Sequence, residues 1–171
     1  MSVIQSYIYL AEVVSNLPII ARRYIEAAIL KNVFDEIERR FDRETAEQII
    51  GQACSNSAVA HGKNMAQQVD HPANLQDFAE ILPNWTKEDA LEIEVLEQNK
   101  STMDFNVTRC RYAEMYEEMG VRDIGHLLSC RRDADFCTGY NPDINFERSQ
   151  TIMKGASHCD FRLKMKLSHN E

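Results

Sequence analysis

The sequence predicts an α+β fold, in which N-terminal helices precede an antiparallel sheet of about four strands with one or two helices inserted between its hairpins. Apolar residues recur at helical spacing over residues 1–85, and from residue 86 onward segments that alternate like strands flank the helical segments. No repeat, low-complexity segment or linker separates the two parts. We therefore expect residues 1–171 to form a single domain with a helical half (1–85) and a sheet-and-helix half (86–171).

The helical half contains three predicted helices. Pro18 suits a first helical turn, and apolar residues follow it at near-helical spacing, namely Ile25, Ile29, Val33, Ile37 and Phe41. Asp42 or Thr45 can begin the next helix, and Gly62 is predicted to stop or kink it. A short helix is expected over the segment NLQDFAEIL.

The second half contains strands at both of its ends. LEIEV and MDFNVT alternate in polarity around the turn-like EQNKST, which predicts an antiparallel hairpin. RCRYAEMYEEMG is helical up to Gly120, and SCRRDADFC predicts a second short helix. NFERSQTIM and the segment from Cys159 to Leu167, where every second residue is apolar, predict the last two strands around KGAS.

Composition and charge exclude several classes of protein. With 44% hydrophobic and 27% charged residues the chain is typical of globular proteins, and its net charge of −8 repels nucleic acid and anionic lipid. The apolar N-terminal stretch has no basic start, carries Glu12 and is too short to cross a bilayer. We therefore expect a cytoplasmic protein with a small-molecule substrate and neither nucleic acid nor membrane as partner. A homo-oligomer is left open.

The five cysteines are odd in number and irregularly spaced, which predicts free thiols rather than a disulfide framework. Cys110 falls in the first turn of a predicted helix, away from its packing stripe and between Arg109 and Arg111. That environment favours a lowered thiol pKa. The alternative is a partly exposed, inert cysteine.

The helix SCRRDADFC offers carboxylates beside thiols. Cys130, Asp133 and Cys137 can share one helix face. Asp133 or Asp135 can act as a base or as an anchor for a substrate ammonium group, or can pair with neighbouring arginines at the surface.

Cys159 opens the buried row of the last strand and is either a core thiol or a nucleophile. His158 points to the opposite face of a regular strand, where it can pair with Asp160, so the base for Cys159 must come from elsewhere, such as His126 or His61. Three cysteines with a histidine can form a zinc site, but the usual local ligand pairs are missing. We predict neither metal nor cofactor.

Three separated segments of the second half carry a family resemblance, namely FNVTRCRYAEMYEEMG, LSCRRDADFCTGYNP and INFERSQTIMKGASHCDFRL. Together, over roughly residues 90–165, they resemble the L-2-amino-thiazoline-4-carboxylic acid hydrolase family. The resemblance implies an enzyme that adds water to C2 of a thiazoline ring and gives an N-carbamoyl amino acid. Its motif positions are Cys110, Cys130, Cys159 and Asp160.

On this resemblance we expect a hydrolase that acts on a small cyclic amidine or thiazoline-type C–N bond. Cys110 or Cys159 is the predicted nucleophile, with Asp133, His158 or Asp160 as acid–base groups. Cys130 is expected to contact the substrate. Arg109 or Arg111, with Arg162 as a third candidate, would bind its carboxylate. Two alternatives stay open: a small-molecule-binding module without catalysis, and a structural zinc domain.

Overall fold

The structure of the chain, a computed structural model, describes residues 13–14 and 16–166. Interpretations that concern residues 1–12 and Leu167 lie outside these residues. The helical part comprises α1 (Ile19–Arg40), α2 (Arg43–Ala66), α3 (Leu75–Ile81), α4 (Pro83–Thr86) and a 3-10 turn (Lys87–Asp89). The second part comprises β1 (Leu91–Gln98), β2 (Thr102–Cys110), α5 (Arg111–Glu118), α6 (Arg122–Gly125), a π-helical turn (His126–Cys130), α7 (Arg131–Tyr140), β3 (Ile144–Glu147), a second 3-10 turn (Ile152–Lys154) and β4 (Cys159–Met165).

The sheet has four strands in the order β1-β2-β4-β3, and every neighbouring pair is antiparallel. The predicted fold class is confirmed, including the helices inserted between strands. The last strand lies inside the sheet rather than at its edge, which places Cys159 opposite Val107 and Phe161 opposite Phe105. This register places Cys159 and Phe161, two residues of the third family segment, on the face of the sheet that packs against the helices.

Helix α1 buries a different face from the one that its apolar spacing suggests. Its buried residues are Ile19, Arg23, Ala27 and Phe34. The predicted stripe is largely exposed in the single chain, with Ile29 65% exposed and Phe41 70% exposed. The helix is apolar on more than one face, so the periodicity alone did not identify the side that contacts the core.

Helix α2 begins at Asp42, whose carboxylate accepts a hydrogen bond from the Thr45 amide at 2.7 Å. The prediction that Gly62 stops or kinks this helix is wrong, because the helix continues to Ala66. Gly62 instead permits close packing on α7: a Cβ atom there would lie 2.2 Å from the carbonyl oxygen of Phe136. Gly139 on α7 is as tightly packed, since a Cβ would lie 2.1 Å from the carbonyl oxygen of Val59.

The predicted short helix over SCRRDADFC is the C-terminal part of a longer one. Helix α6, the π-helical turn and α7 follow one another without a break from Arg122 to Tyr140. A π-helical turn holds one more residue than an α-helical turn, so it rotates the residues that follow it about the helix axis. Such turns are frequent at functional sites. Here the turn ends at Cys130, immediately before the residues of α7 that face the sheet.

Candidate active site

A cavity of about 100 Å³ lies between the sheet and the helices. Its walls come from β2 and β4 on the sheet side and from α1, α2 and α7 on the helical side, with the α3–α4 region closing one end. This space is smaller than the apolar cavity of about 150 Å³ that takes up benzene, so a single small ring is the upper limit on the ligand that it would hold without widening. Most of the lining side chains are apolar or aromatic, and the polar ones are few.

Four of the five cysteines line this cavity. Cys110 lies at the end of β2 and is the N-cap residue of α5, whereas Cys159 is the first residue of β4. Cys130 ends the π-helical turn and Cys137 follows on α7. Cys54 is buried on α2 and does not line the cavity. Tertiary folding thus brings the three motif cysteines, which are far apart in sequence, to the walls of one cavity.

The thiols are protonated at neutral pH. Burial raises the pKa of Cys110 to about 11 and that of Cys130 to about 12, and the pKa of Cys159 is also raised, chiefly by burial. The prediction that the helix N-terminus lowers the pKa of Cys110 is therefore wrong. The amides of Ala113 and Tyr112 do favour the thiolate, but the loss of hydration outweighs them.

Asp133 is the only carboxylate that lines the cavity within the described part of the chain. Its carboxylate oxygen Oδ2 lies 2.5 Å from Nη1 of Arg148. The side chain is 29% exposed, and burial raises the pKa of Asp133 although Arg148 opposes the shift. Asp135 does not line the cavity and lies 3.9 Å from Arg131. Of the two aspartates that the sequence left open, the structure therefore places only Asp133 at the cavity.

Arg148 was not among the predicted site residues. It follows β3, and its guanidinium lies 5.5 Å from the ring centre of Phe146 and 5.1 Å from that of Phe161. Its Nη2 donates a 2.8 Å hydrogen bond to the carbonyl oxygen of Cys130. These contacts hold the cation against the sheet beside Asp133. The pairing of β3 with β4 brings Arg148 here. Arg148 lies in the third segment of the family resemblance, INFERSQTIMKGASHCDFRL, but its spacing in the sequence did not mark it as a site residue.

Two predicted acid–base residues do not line the cavity. Asp160 accepts hydrogen bonds from Ser149 and Gln150, which lower its pKa to about 2 against the opposing effect of desolvation. His158 does not form the suggested pair with Asp160, because its ring nitrogens contact Gln150 and Ser157. Both residues stabilise the chain around the start of β4. They lie outside the space that Cys159 faces.

The predicted carboxylate-binding arginines also lie outside the cavity. Arg109 is bound at the surface by Glu114, with Nε 2.9 Å from the carboxylate. Arg111 donates from Nη1 to the carbonyl oxygen of Glu88 at 2.5 Å, and Arg162 donates to the carbonyl oxygen of Phe105 at 3.0 Å. Strand alternation explains this outcome for Arg109 and Arg162, which are next to cavity residues in sequence and point to the other face, whereas Arg111 is the first residue of α5.

Of the two alternative histidine bases, His61 lines the cavity and His126 does not. The His61 ring contacts aromatic residues, with ring centres 5.3 Å from Phe136 and 6.1 Å from Trp85. Burial, assisted by the positive charges of Arg22, Arg23 and Arg132, lowers the pKa of His61 to about 4. His61 is therefore neutral at pH 7.

This neutral histidine predicts an acid-sensitive fold. Between pH 6.5 and about 4 the unfolded chain protonates His61 while the folded chain does not, so stability falls as pH falls through that window. We expect the urea midpoint of the wild-type protein to drop more between pH 7 and pH 5 than that of His61→Phe, which keeps an aromatic ring but cannot titrate. Equal drops in the two proteins would contradict the assignment.

The chain matches one protein-family model, that of the L-2-amino-thiazoline-4-carboxylic acid hydrolases, over residues 22–163. The chain belongs to this family. The match includes most of α1 and all of α2 as well as the second half, so the matched region takes in both walls of the cavity. No curated protein matches the chain.

Among solved structures, this family member is similar to the phenol-responsive sensory domain of the transcription activator PoxR, solved with phenol. The TM-score is 0.51 at 12% sequence identity, and the match covers 81% of this chain and 73% of the other. The likeness shows a shared fold.

In the described residues, no helix has the length and apolar composition that a bilayer span requires, and no three His, Cys, Asp or Glu side chains are grouped as a metal ion would need.

Proposed function

We propose that this family member is a hydrolase that opens a small cyclic amidine, such as a 2-amino-thiazoline-4-carboxylate-like ring, to an N-carbamoyl amino acid. One observation carries the proposal. A single ring-sized cavity is lined by the three motif cysteines, Cys110, Cys130 and Cys159, and by one carboxylate, Asp133. The family membership supports the same chemistry.

The carboxylate of Asp133 suits the amidine end of such a substrate. A protonated amidine is planar and carries two N–H donors, which a carboxylate can accept side by side, as it does from arginine. Protonation also makes the amidine carbon more electrophilic. Burial raises the proton affinity of Asp133, so the same group is suited to accept and return a proton during the reaction.

In the covalent route a thiol passes its proton to Asp133 and its sulfur bonds to the amidine carbon. The ring carbon–sulfur bond then breaks, and Asp133 returns the proton to the departing ring sulfur. Water next attacks the same carbon and the enzyme sulfur leaves as a thiol. The sum is one water added. Because an N-carbamoyl product keeps both nitrogens on that carbon, the bond broken in a 2-amino-thiazoline is C–S, whereas a ring with nitrogen in place of that sulfur would break at C–N.

Two thiols are suited to the attack. The Cys110 sulfur is favoured as an anion by the amides of Tyr112 and Ala113 at the start of α5. The Cys159 sulfur accepts a hydrogen bond from the Ile152 amide at 3.2 Å, and the charge of Arg148 also favours its thiolate. In the direct alternative Asp133 activates water and neither thiol bonds to the substrate.

Serine replacements distinguish these routes. We expect Cys110→Ser or Cys159→Ser to lower the turnover of 2-amino-thiazoline-4-carboxylate at least about 10²-fold, because a serine hydroxyl is far harder to ionise in this buried site. Cys54→Ser, on a buried cysteine that does not line the cavity but lies against Arg132, is the control and should lose far less turnover than either cavity variant. Full activity in both cavity variants would end the covalent route.

The second candidate function is a small-molecule-binding module without catalysis. It is favoured by the aromatic side chains that line the cavity and by the likeness to a domain whose structure was solved with phenol. A binder would raise its melting temperature with 2-amino-thiazoline-4-carboxylate or with phenol but release no N-carbamoyl product. Product formation measured on the full chain therefore separates the two functions.

A further inference from the structure

Two arginines line the end of the cavity where α1, α2 and α7 meet. Arg23 projects from α1 and Arg132 from α7, and their side chains are only 10% and 9% exposed. Arginine is almost never buried this far unless its charge is matched. The partners of these two guanidinium groups therefore show whether their charge is matched inside the protein.

The two cations share one carboxylate. Arg23 donates to Glu26 from Nη1, and Nη1 of Arg132 lies 3.6 Å from the same Glu26 oxygen. Glu26 is 40% exposed, so part of its charge is screened by solvent. Arg132 also donates from Nη2 to the hydroxyl of Ser57 at 3.1 Å and lies against the buried thiol of Cys54, whereas its buried Nε has no partner. This end of the cavity therefore holds an excess of positive charge and an unused donor.

Such an arrangement is unfavourable in the empty protein, because a buried charge without a full partner loses hydration that nothing replaces. A bound anion would supply the missing charge and an acceptor for Nε. The ring of His61, which lines the same end, supports this electrostatic picture, since the charges of Arg22, Arg23 and Arg132 help to keep it neutral.

We propose that Arg132 and Arg23 form a carboxylate-binding subsite that selects anionic ring-sized ligands for this cavity. The ligand's use as a substrate rests on the proposed function, whereas the binding preference does not. The subsite takes over the role that sequence reasoning gave to Arg109 and Arg111.

The position of this subsite fits a ligand with charges at both ends. Arg132 and Asp133 are consecutive on α7, and the charges of Arg23 and Arg132 act on Asp133. The cationic end and the carboxylate therefore face one continuous space. A ring with a carboxylate on one carbon and an amidine on another would reach the arginines with the first group and Asp133 with the second.

The test uses two probes of equal size that cannot be hydrolysed at an amidine, thiophene-2-carboxylate and thiophene-2-carboxamide. We expect calorimetry on the full chain to show the carboxylate binding at least about tenfold more tightly than the amide, because only the carboxylate has the opposite charge and the two acceptor oxygens that pair with a guanidinium. In Arg132→Gln this preference should fall to about threefold or less. Arg132→Lys, which keeps the charge but not the planar donor set, should retain an intermediate preference.

Arg131→Gln is the matched control, since Arg131 adjoins Arg132 in sequence, is exposed and does not line the cavity. It should keep the wild-type preference. Arg23→Gln replaces Arg132→Gln if the latter does not fold. A wild-type protein that binds the amide as tightly as the carboxylate, or binds neither, overturns the subsite, as does a full preference in Arg132→Gln. Hydrolysis without the preference overturns the subsite alone, and the preference without hydrolysis overturns the proposed function alone.

Discussion

Replacement of Asp133 by Asn is expected to lower turnover of 2-amino-thiazoline-4-carboxylate by about 10²- to 10⁴-fold, the usual contribution of a positioned acid–base group. Asn has the same shape but can neither accept the thiol proton nor carry the charge that pairs with an amidinium. Both routes of the proposed mechanism use this carboxylate, so the loss should exceed that from any single cysteine. The measurement is kcat and kcat/KM per folded molecule.

Asp135→Asn is the control for this prediction, because Asp135 lies on the same helix and outside the cavity. It should retain turnover within a few-fold. Asp133→Asn also leaves Arg148 without its partner, which destabilises a buried site. The double variant Asp133→Asn/Arg148→Met removes both charges and should regain stability without activity. Recovered turnover in the double variant would show that Asp133 serves only to neutralise Arg148.

Replacement of Gly139 by Ala should destabilise the protein by about 3 kcal/mol, at the upper end of typical overpacking costs. The added methyl would lie 2.1 Å from the carbonyl oxygen of Val59 and 2.9 Å from its Cα. Both are backbone atoms of α2, so no side chain can rotate away and the two helices must separate. For a chain of this size the melting temperature should fall by about 6–12 °C.

Gly51→Ala is the matched control on α2. A Cβ at Gly51 meets Nη1 of Arg131 at 2.9 Å, which is the mobile end of a long side chain. Alanine also favours a helix over glycine by about 1 kcal/mol. We expect Gly51→Ala to leave the melting temperature unchanged or raise it. A similar loss in both variants would show that the contact between α2 and α7 is not the cause.

Gly139→Ala should also lower turnover more than its effect on stability explains. Helix α7 carries Asp133 and Cys137 into the cavity, and its separation from α2 would move both relative to β2 and β4. Turnover measured well below the melting temperature of the variant checks this expectation. Unchanged turnover there would show that the site tolerates displacement of α7.

The sequence by itself determined the class of elements and most of their locations. Alternation around EQNKST predicted the β1–β2 hairpin, and the capping residue Asp42 and the positive-φ Gly120 mark helix ends as expected. These features depend on local backbone preferences and on side-chain periodicity, which are properties of neighbouring residues. The alternation of apolar and polar residues from Cys159 onward is likewise a local property, and it predicted the strand β4 correctly.

Only the tertiary structure decided which chemical groups meet. Cys110, Asp133, Arg148 and Cys159 reach one cavity because β4 pairs between β2 and β3 and because α7 packs closely on α2. The tertiary structure also decided the protonation of the thiols. Burial, a property of the whole fold, raises the pKa of Cys110 by more than the amides at the helix N-terminus lower it, and only the helix N-terminus could be predicted from the sequence. Proximity in sequence favoured Arg109, Arg111, His158 and Asp160, but none of these side chains lines the cavity. Strand alternation turns Arg109 and Asp160 away from it, and Arg111 and His158 lie outside the strands. Residue identity thus sets the available chemistry, and long-range packing sets which groups share a space and how strongly water is excluded from it.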